Sequence, residues 1–273
     1  MEAKTKLFRR DFTLVVIGQI ISLFGNAILR FALPYYLLKE TGSSTLFGLV
    51  TACSFLPMVV LSMVGGILAD RINKRNIMVG LDFSTAIIIT LFYFSLGKLP
   101  MVPLFIVFLM LLYGISGAYQ PSVQASVPLL VSSDKLTVGN AVINQVNTLA
   151  NFVGPAIGGI VLQFYGITPI LIASIVCFTF SAIMEIFIHI PYQKRVRETG
   201  VFTVAKNDLK DSFRFLRHEK PIFISVIILV CIFNLVLSAV LIVGLPIMIS
   251  EVLRMSDTLY GFSQASLSLG GLC

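Results

Sequence analysis

Charge is scarce in this chain. Only 12% of its 273 residues are Asp, Glu, Lys or Arg, against roughly 25% in an average soluble domain. Hydrophobic residues make up 57% and mean hydropathy is +0.95. A soluble fold of this length has too little interior for so much apolar surface, because a single core stops growing near roughly 250–300 residues and still needs a polar shell. Histidine is nearly absent too, with two in the chain. No His/Glu metal cluster and no intramembrane Ser/His pairing emerge, so neither a membrane-bound enzyme nor a resident metal is expected. The four cysteines, Cys53, Cys177, Cys231 and Cys273, show no C-x-x-C spacing. They read as small hydrophobes, not as a zinc site or a disulfide framework. Segments of about ten residues with alternating polarity, the mark of a membrane β-barrel, are also missing. These absences leave an all-α membrane protein.

The net charge of +7 does not point to a nucleic-acid partner. The basic residues lie in short segments between long apolar runs, which fits cytoplasmic loops and not a phosphate-binding face. The bilayer itself is the expected partner. Runs of about 20 apolar residues predict spans near 12–38, 45–68, 77–96, 102–127, 138–163, 169–190 and 221–247, with an eighth beginning at Tyr260. Turn signals separate them, among them Thr41-Gly42-Ser43-Ser44, Gly97-Lys98-Leu99-Pro100 and Tyr165-Gly166-Ile167-Thr168-Pro169. The first apolar stretch carries no small-residue cleavage site, so it reads as a retained span and not a signal peptide.

Lys and Arg set the orientation. With alternating loops, one side holds four in residues 1–11, three in 69–76, one in 131–137 and eight in 191–220. The other side holds Lys39, Lys98 and Arg254, and Arg30 lies inside the first span. The positive-inside rule then places the amino terminus in the cytoplasm of a multi-pass plasma-membrane protein. Within 191–220, Phe202, Leu209, Phe213 and Leu216 recur at helical spacing among Lys206, Lys210, Arg214 and Arg217. This pattern fits an amphipathic helix on the anionic inner leaflet, with a plain solvated linker as the alternative.

An internal repeat is visible. Leu33-Pro34 followed by Ser44-Thr45-Leu46-Phe47-Gly48 and Ala52 is echoed by Leu245-Pro246, then Asp257-Thr258-Leu259-Tyr260-Gly261 and Ala265. Six spans separate the copies, so both point the same way, as in parallel halves related about the membrane normal.

Two motifs carry a family resemblance. Gly65-Gly66-Ile67-Leu68-Ala69-Asp70-Arg71-Ile72-Asn73-Lys74-Arg75 follows the pattern G-x-L-a-D-r-x-g-r-[KR], with Asn73 where glycine is usual. Gly66 is expected to let helices approach, Asp70 to meet the positive amino end of the next helix, and the basic cluster to fix the loop inside. The second motif, Gly154-Pro155-Ala156-Ile157-Gly158-Gly159, matches the end of G-x8-G-x3-G-P-x2-G-G, with Ala141 and Ala150 at the earlier glycines. The chain thus resembles the major facilitator superfamily.

The resemblance implies a six-helix amino-terminal half of a 6+6 bundle (1–190), a cytoplasmic central loop (191–220) and about one and a half helices of a second half (221–273), so that the chain reads as truncated. It further implies a gating role for Gly66, Asp70, Arg71, Lys74 and Arg75, and a proton-exchanging exporter's motif in Gly154, Pro155, Gly158 and Gly159. The first span, from Ser22 to Pro34, resembles the macrolide-efflux and enterobactin-exporter branch, where an acidic residue often takes the place of Asn26. Asn26 can only hydrogen-bond.

Candidates for the substrate or proton pathway follow from polarity within spans. Asn140, Asn144, Asn147, Asn151, Gly154 and Gly158 share one face of the fifth span, directed either at substrate or at a neighbouring helix. Arg30 lies deepest, Asp82 sits about two turns into the third span near the expected gate, and Glu185 and His189 are close enough to the inner end to snorkel. Aromatic residues such as Phe24, Tyr35, Tyr113 and Tyr119 are candidates for an apolar pocket. The expected function is proton-driven efflux of amphipathic small molecules, with no cofactor beyond the proton gradient. Nutrient uptake by the same fold and an inactive fragment are the alternatives.

Overall fold

A computed structural model describes residues 7–190, 214 and 221–269. The expected surface helix in 191–220 therefore lies outside the described residues, Arg214 apart. Six long helices come first: α1 (Arg10–Thr41), α2 (Ser44–Arg71), α3 (Lys74–Ser95), α4 (Met101–Leu130), α5 (Leu136–Tyr165) and α6 (Ile167–Ile186). A short 3-10 turn, Ser133–Lys135, leads into α5. Then come α7 (Pro221–Ser238) and α8 (Asp257–Leu269). Among the described residues seven helical segments are long and apolar enough to cross a membrane, and no strand occurs.

The helices overrun the apolar stretches by about a turn at several ends. Ser43 accepts a hydrogen bond from the Leu46 amide at 3.3 Å and opens α2; such a cap satisfies one of the orphan amides of the first turn. The break between α5 and α6 is tighter than the sequence implied. Gly166 alone makes it, at φ 75° and ψ −165°, a backbone region that essentially only glycine occupies. Helix α6 starts at Ile167, so Pro169 falls in its first turn, where its missing N–H costs nothing. It ends near Ile186, short of the expected 190.

The internal repeat has a structural counterpart. Ser256 accepts from the Leu259 amide at 3.4 Å, as Ser43 does from Leu46. The Tyr260 amide donates to the Ser256 carbonyl at 3.1 Å, as Phe47 does to Ser43 at 3.0 Å. The eighth helix thus starts at Asp257, one turn before the expected Tyr260.

Residues 7–190 and 255–269 form one compact unit. Helix α1 runs through it, flanked by α5 and α6, while α2 pairs with α4, α3 with α6, and α8 with α5. Small residues permit these approaches. A Cβ on Gly65 would lie 2.6 Å from the Ala118 Cα, and one on Gly117 would strike the Met58 carbonyl oxygen. A Cβ on Gly66 would meet nothing within 4 Å, so within this unit the close approach belongs to Gly65, not to Gly66. Large apolar side chains such as Leu56, Val60, Leu91, Phe94 and Val107 are exposed on the outside, the surface a lipid environment requires.

The second unit comprises 195–254. Its α7 is apolar all round, as suits a membrane span. Beyond Ser238 the helix continues in wider turns, Ala239–Gly244 and Met248–Val252, on either side of Leu245–Ile247. Pro246 lacks the N–H of a regular ladder, and such i→i+5 turns absorb that loss.

Candidate functional site: a polar cavity and a buried network along α1

Gln19, Ser22, Asn26 and Arg30 recur at steps of three, four and four along α1, so they lie on one stripe of the helix. The two ends of the stripe meet different neighbours.

At the Asn26–Arg30 end is a cavity of about 250 Å³ between α1, α2, α4 and α5. Asn26 and Arg30 line it from α1, Gln120 and Gln124 from α4, and Asn147 and Asn151 from α5. The Arg30 guanidinium lies 4.4 Å from the centre of the Tyr113 ring, which is itself edge-on to Phe55 at 5.4 Å. Arg30 has no acidic partner: the sole ion pair among the described residues joins Lys39 and Asp257. No acidic residue lines the cavity among the described residues. Asn26 Oδ1 and Gln120 Oε1 are buried without a hydrogen-bond partner. The cavity therefore offers one cation and unused amide oxygens, a combination suited to a ligand carrying both acceptors and donors.

At the Gln19–Ser22 end the stripe enters a network with almost no exposure. Gln19 Nε2 donates to the Tyr119 hydroxyl at 2.9 Å, and that hydroxyl donates to Glu185 Oε1 at 2.6 Å. Ser22 Oγ lies 3.2 Å from Asp82 Oδ2, 3.0 Å from Ser181 Oγ and 2.8 Å from the Gly18 carbonyl. Gln19, Ser181 and Glu185 are 0% exposed, and Asp82 is 2% exposed. Glu185 consequently does not snorkel, contrary to the option its position left open. Tyr119 binds it from α4, and α1, α3 and α6 close around it.

The asparagine face of α5 divides. Asn147 and Asn151 reach the cavity, while Asn140 and Asn144 are exposed outside it. Further along, a Cβ on Gly154 would lie 2.5 Å from Ala27 Cβ, and one on Gly158 would lie 3.0 Å from the Phe31 ring. Gly159 instead faces α8, where its Cβ would come 2.6 Å from the Asp257 carbonyl. Pro155 joins the same contact, its carbonyl oxygen 2.5 Å from the Cβ position of Gly261. The second motif is therefore the packing surface of α5 against both α1 and α8. Asp257 of α8 also binds Lys39 Nζ at 2.7 Å and the Tyr35 hydroxyl at 3.2 Å.

Of the loop motif, Lys74 and Arg75 open α3, and the cap comes from Asn73, whose Oδ1 accepts from the Arg75 amide at 3.0 Å. The side chains of Asp70 and Arg71 lie outside the described residues, so the expected meeting of Asp70 with the helix end does too. None of Phe24, Tyr35, Tyr113 and Tyr119 lines the cavity; Tyr113 positions Arg30, and Tyr119 belongs to the network. Sequence reading missed Tyr119 and Ser181 as partners of the carboxyl groups, and Gln19 as the donor to Tyr119. The step pattern from Gln19 to Arg30 was the available signal.

The fold and cavity together define a multi-pass helical membrane protein whose bundle encloses a polar site. The sequence profile of the Major Facilitator Superfamily matches residues 15–273, and the chain belongs to that superfamily. It is 25% identical over 224 residues to macrolide efflux protein A of Streptococcus pyogenes, covering 79% of this chain and 53% of that protein. It is 23% identical over 254 residues to the staphyloferrin A transporter of Staphylococcus aureus, covering 91% and 62%. With multidrug resistance protein MdtG of Salmonella typhi it shares 26% over 211 residues, covering 73% and 51%. The chain thus spans about half to three-fifths of the length of these relatives.

Proposed function

We propose that this chain provides the substrate-binding first half of a proton-driven exporter of amphipathic small molecules in the plasma membrane. The observation that carries the reading is the cavity between α1, α2, α4 and α5, with Arg30 held on Tyr113 and facing unpaired amide oxygens. A charged residue within a span is costly unless it serves a site or a pathway. The names of the relatives, which refer to macrolide efflux, a staphyloferrin A transporter and multidrug resistance, support export of compounds of this kind. The driving force is the proton gradient, with no cofactor.

In this reading residues 1–190 form one half, 191–220 the cytoplasmic connection and 221–273 the opening of the second half. The amino terminus is cytoplasmic, consistent with the bias of Lys and Arg. Transport proceeds by rocking of one half against the other. Asp70, Arg71 and Arg75 control that movement at the cytoplasmic loop, and the glycines of α5 provide a close contact on which α1 and α8 pivot.

The test uses inverted membrane vesicles containing the whole protein, energised with an acid-inside pH gradient and given a radiolabelled macrolide. Accumulation that a protonophore collapses supports the proposal. Accumulation in right-side-out vesicles instead would establish uptake, and none in either orientation would remove the macrolide as substrate.

A further inference from the structure

Asp82 and Glu185 present a problem of charge and of hydrogen-bond supply. They come from different helices, α3 and α6, and are 2% and 0% exposed. The groups around them are Gly18, Gln19 and Ser22 of α1, Tyr119 of α4 and Ser181 of α6. The only titratable side chains among these are the two carboxyls and the tyrosine. No Lys, Arg or His pairs with either carboxyl among the described residues. Two buried carboxylates without a cation are unfavourable, and one added proton relieves most of the cost.

The network is also short of donors. The Gly18 carbonyl lies within hydrogen-bond reach of both Ser22 Oγ at 2.8 Å and Ser181 Oγ at 3.1 Å. Ser22 Oγ also donates to Asp82 Oδ2 at 3.2 Å, so its single proton is shared between that carboxylate and a carbonyl. The single Tyr119 proton goes to Glu185 Oε1. Glu185 Oε2 and Gln19 Oε1 are then left buried with no partner. Both belong to fully buried residues at the heart of the cluster, and unsatisfied acceptors there are costly. A proton supplies the missing donor.

We propose that Asp82 and Glu185, bridged by Ser22 and Tyr119, form the site that takes up the coupling proton, separate from the substrate cavity. The proposal rests on the proton-driven reading above. Uptake forms one O–H bond on a carboxylate, and release to the opposite side breaks it, so no oxidant or further reactant is involved. One turn beyond Glu185 the α1–α6 seam reaches solvent, where the amide of exposed His189 donates to the Asp11 carboxylate at 3.0 Å. With the amino terminus cytoplasmic, that contact stands at the end of the route by which the proton leaves. The α1 stripe then connects the two sites, because Ser22 and Asn26 are one turn apart on the same helix face.

The test is infrared difference spectroscopy of the whole protein in liposomes between acidic and alkaline buffers, paired with macrolide transport driven by a pH gradient. The wild type is expected to show a protonated-carboxyl carbonyl band that persists at neutral pH and disappears on alkalinisation. Glu185→Gln and Asp82→Asn should each diminish that band and lose pH-driven transport while still binding the macrolide. The amides keep the shape of the protonated acids, and gel filtration checks folding. Where one variant fails to fold, the other serves, and the wild-type band stands as a readout alone. An identical band in wild type and both variants overturns the site. So does a band that vanishes on adding sodium chloride at constant pH, which would assign the carboxyls to a sodium ion. A titrating band in a protein that does not transport under a pH gradient overturns the export reading alone. Transport undiminished in both variants overturns the site alone.

Discussion

The two ends of the polar stripe on α1 sit in opposite surroundings. Around Gln19 and Ser22 four helices close until nothing is exposed, and the acidic groups there are held by hydroxyls. Around Asn26 and Arg30 the helices part to leave an open polar cavity, and the charge is a cation resting on an aromatic ring. One helix thus carries a closed polar site and an open one. The contrast teaches that polarity inside a span does not identify a role by itself. What each residue faces decides it: the closed end should answer to mutation through stability and proton coupling, the open end through substrate binding.

Disruption of the packing that keeps the ends apart should have the largest effect. Gly154→Leu places a side chain where its Cβ is already 2.5 Å from Ala27 Cβ, forcing α5 off α1. Overpacking of this kind costs about 1–3 kcal/mol or more, so the thermal melt in detergent should fall by several degrees and transport should be lost with it. Next comes Tyr119→Phe, which removes the hydroxyl shared by Gln19 and Glu185. Leaving those buried groups unsatisfied costs about 1–3 kcal/mol, to be read as a lowered denaturation midpoint with the cavity intact.

The open end should behave in the reverse manner. Arg30→Ala loses a cation–π contact worth about 0.5–1 kcal/mol at a partly exposed site, yet should abolish macrolide binding, measured by equilibrium dialysis. A large loss of stability with binding retained would erase the distinction between the two ends. The smallest effect is expected at Lys39, beyond the stripe. Its pair with Asp257 has one partner 47% exposed, so Lys39→Ala should cost less than about 1 kcal/mol, and the difference should shrink in high salt.

Span number and helix type were legible because long apolar runs have a single physical solution in lipid. The repeat was legible from Ser44 to Gly48 and from Asp257 to Gly261, and the structure adds the matching caps of Ser43 and Ser256. Arg30, Asn26, Asn147 and Asn151 were legible as a group because polar residues stand out in apolar helices, and the cavity unites them. Asn144 shares the spacing but not the cavity, since periodicity fixes a face and not how far a neighbour extends along it. The pairing of Tyr119 with Glu185 escaped because it spans α4 and α6, and no local pattern records which helices become neighbours. Gly65 was passed over for Gly66 because the motif names a residue type and not the helix it meets. The one-residue link at Gly166 was hidden by Pro169, which reads as a breaker but is harmless in a first turn.

The most direct test of the account is transport of radiolabelled macrolide into energised inverted vesicles by the whole protein, with Arg30→Gln beside the wild type at equal membrane expression. The account predicts accumulation driven by the pH gradient in the wild type and none in the variant. Equal accumulation in both would show that the cation of α1 has no part in the substrate site, and the reading of the cavity would be wrong.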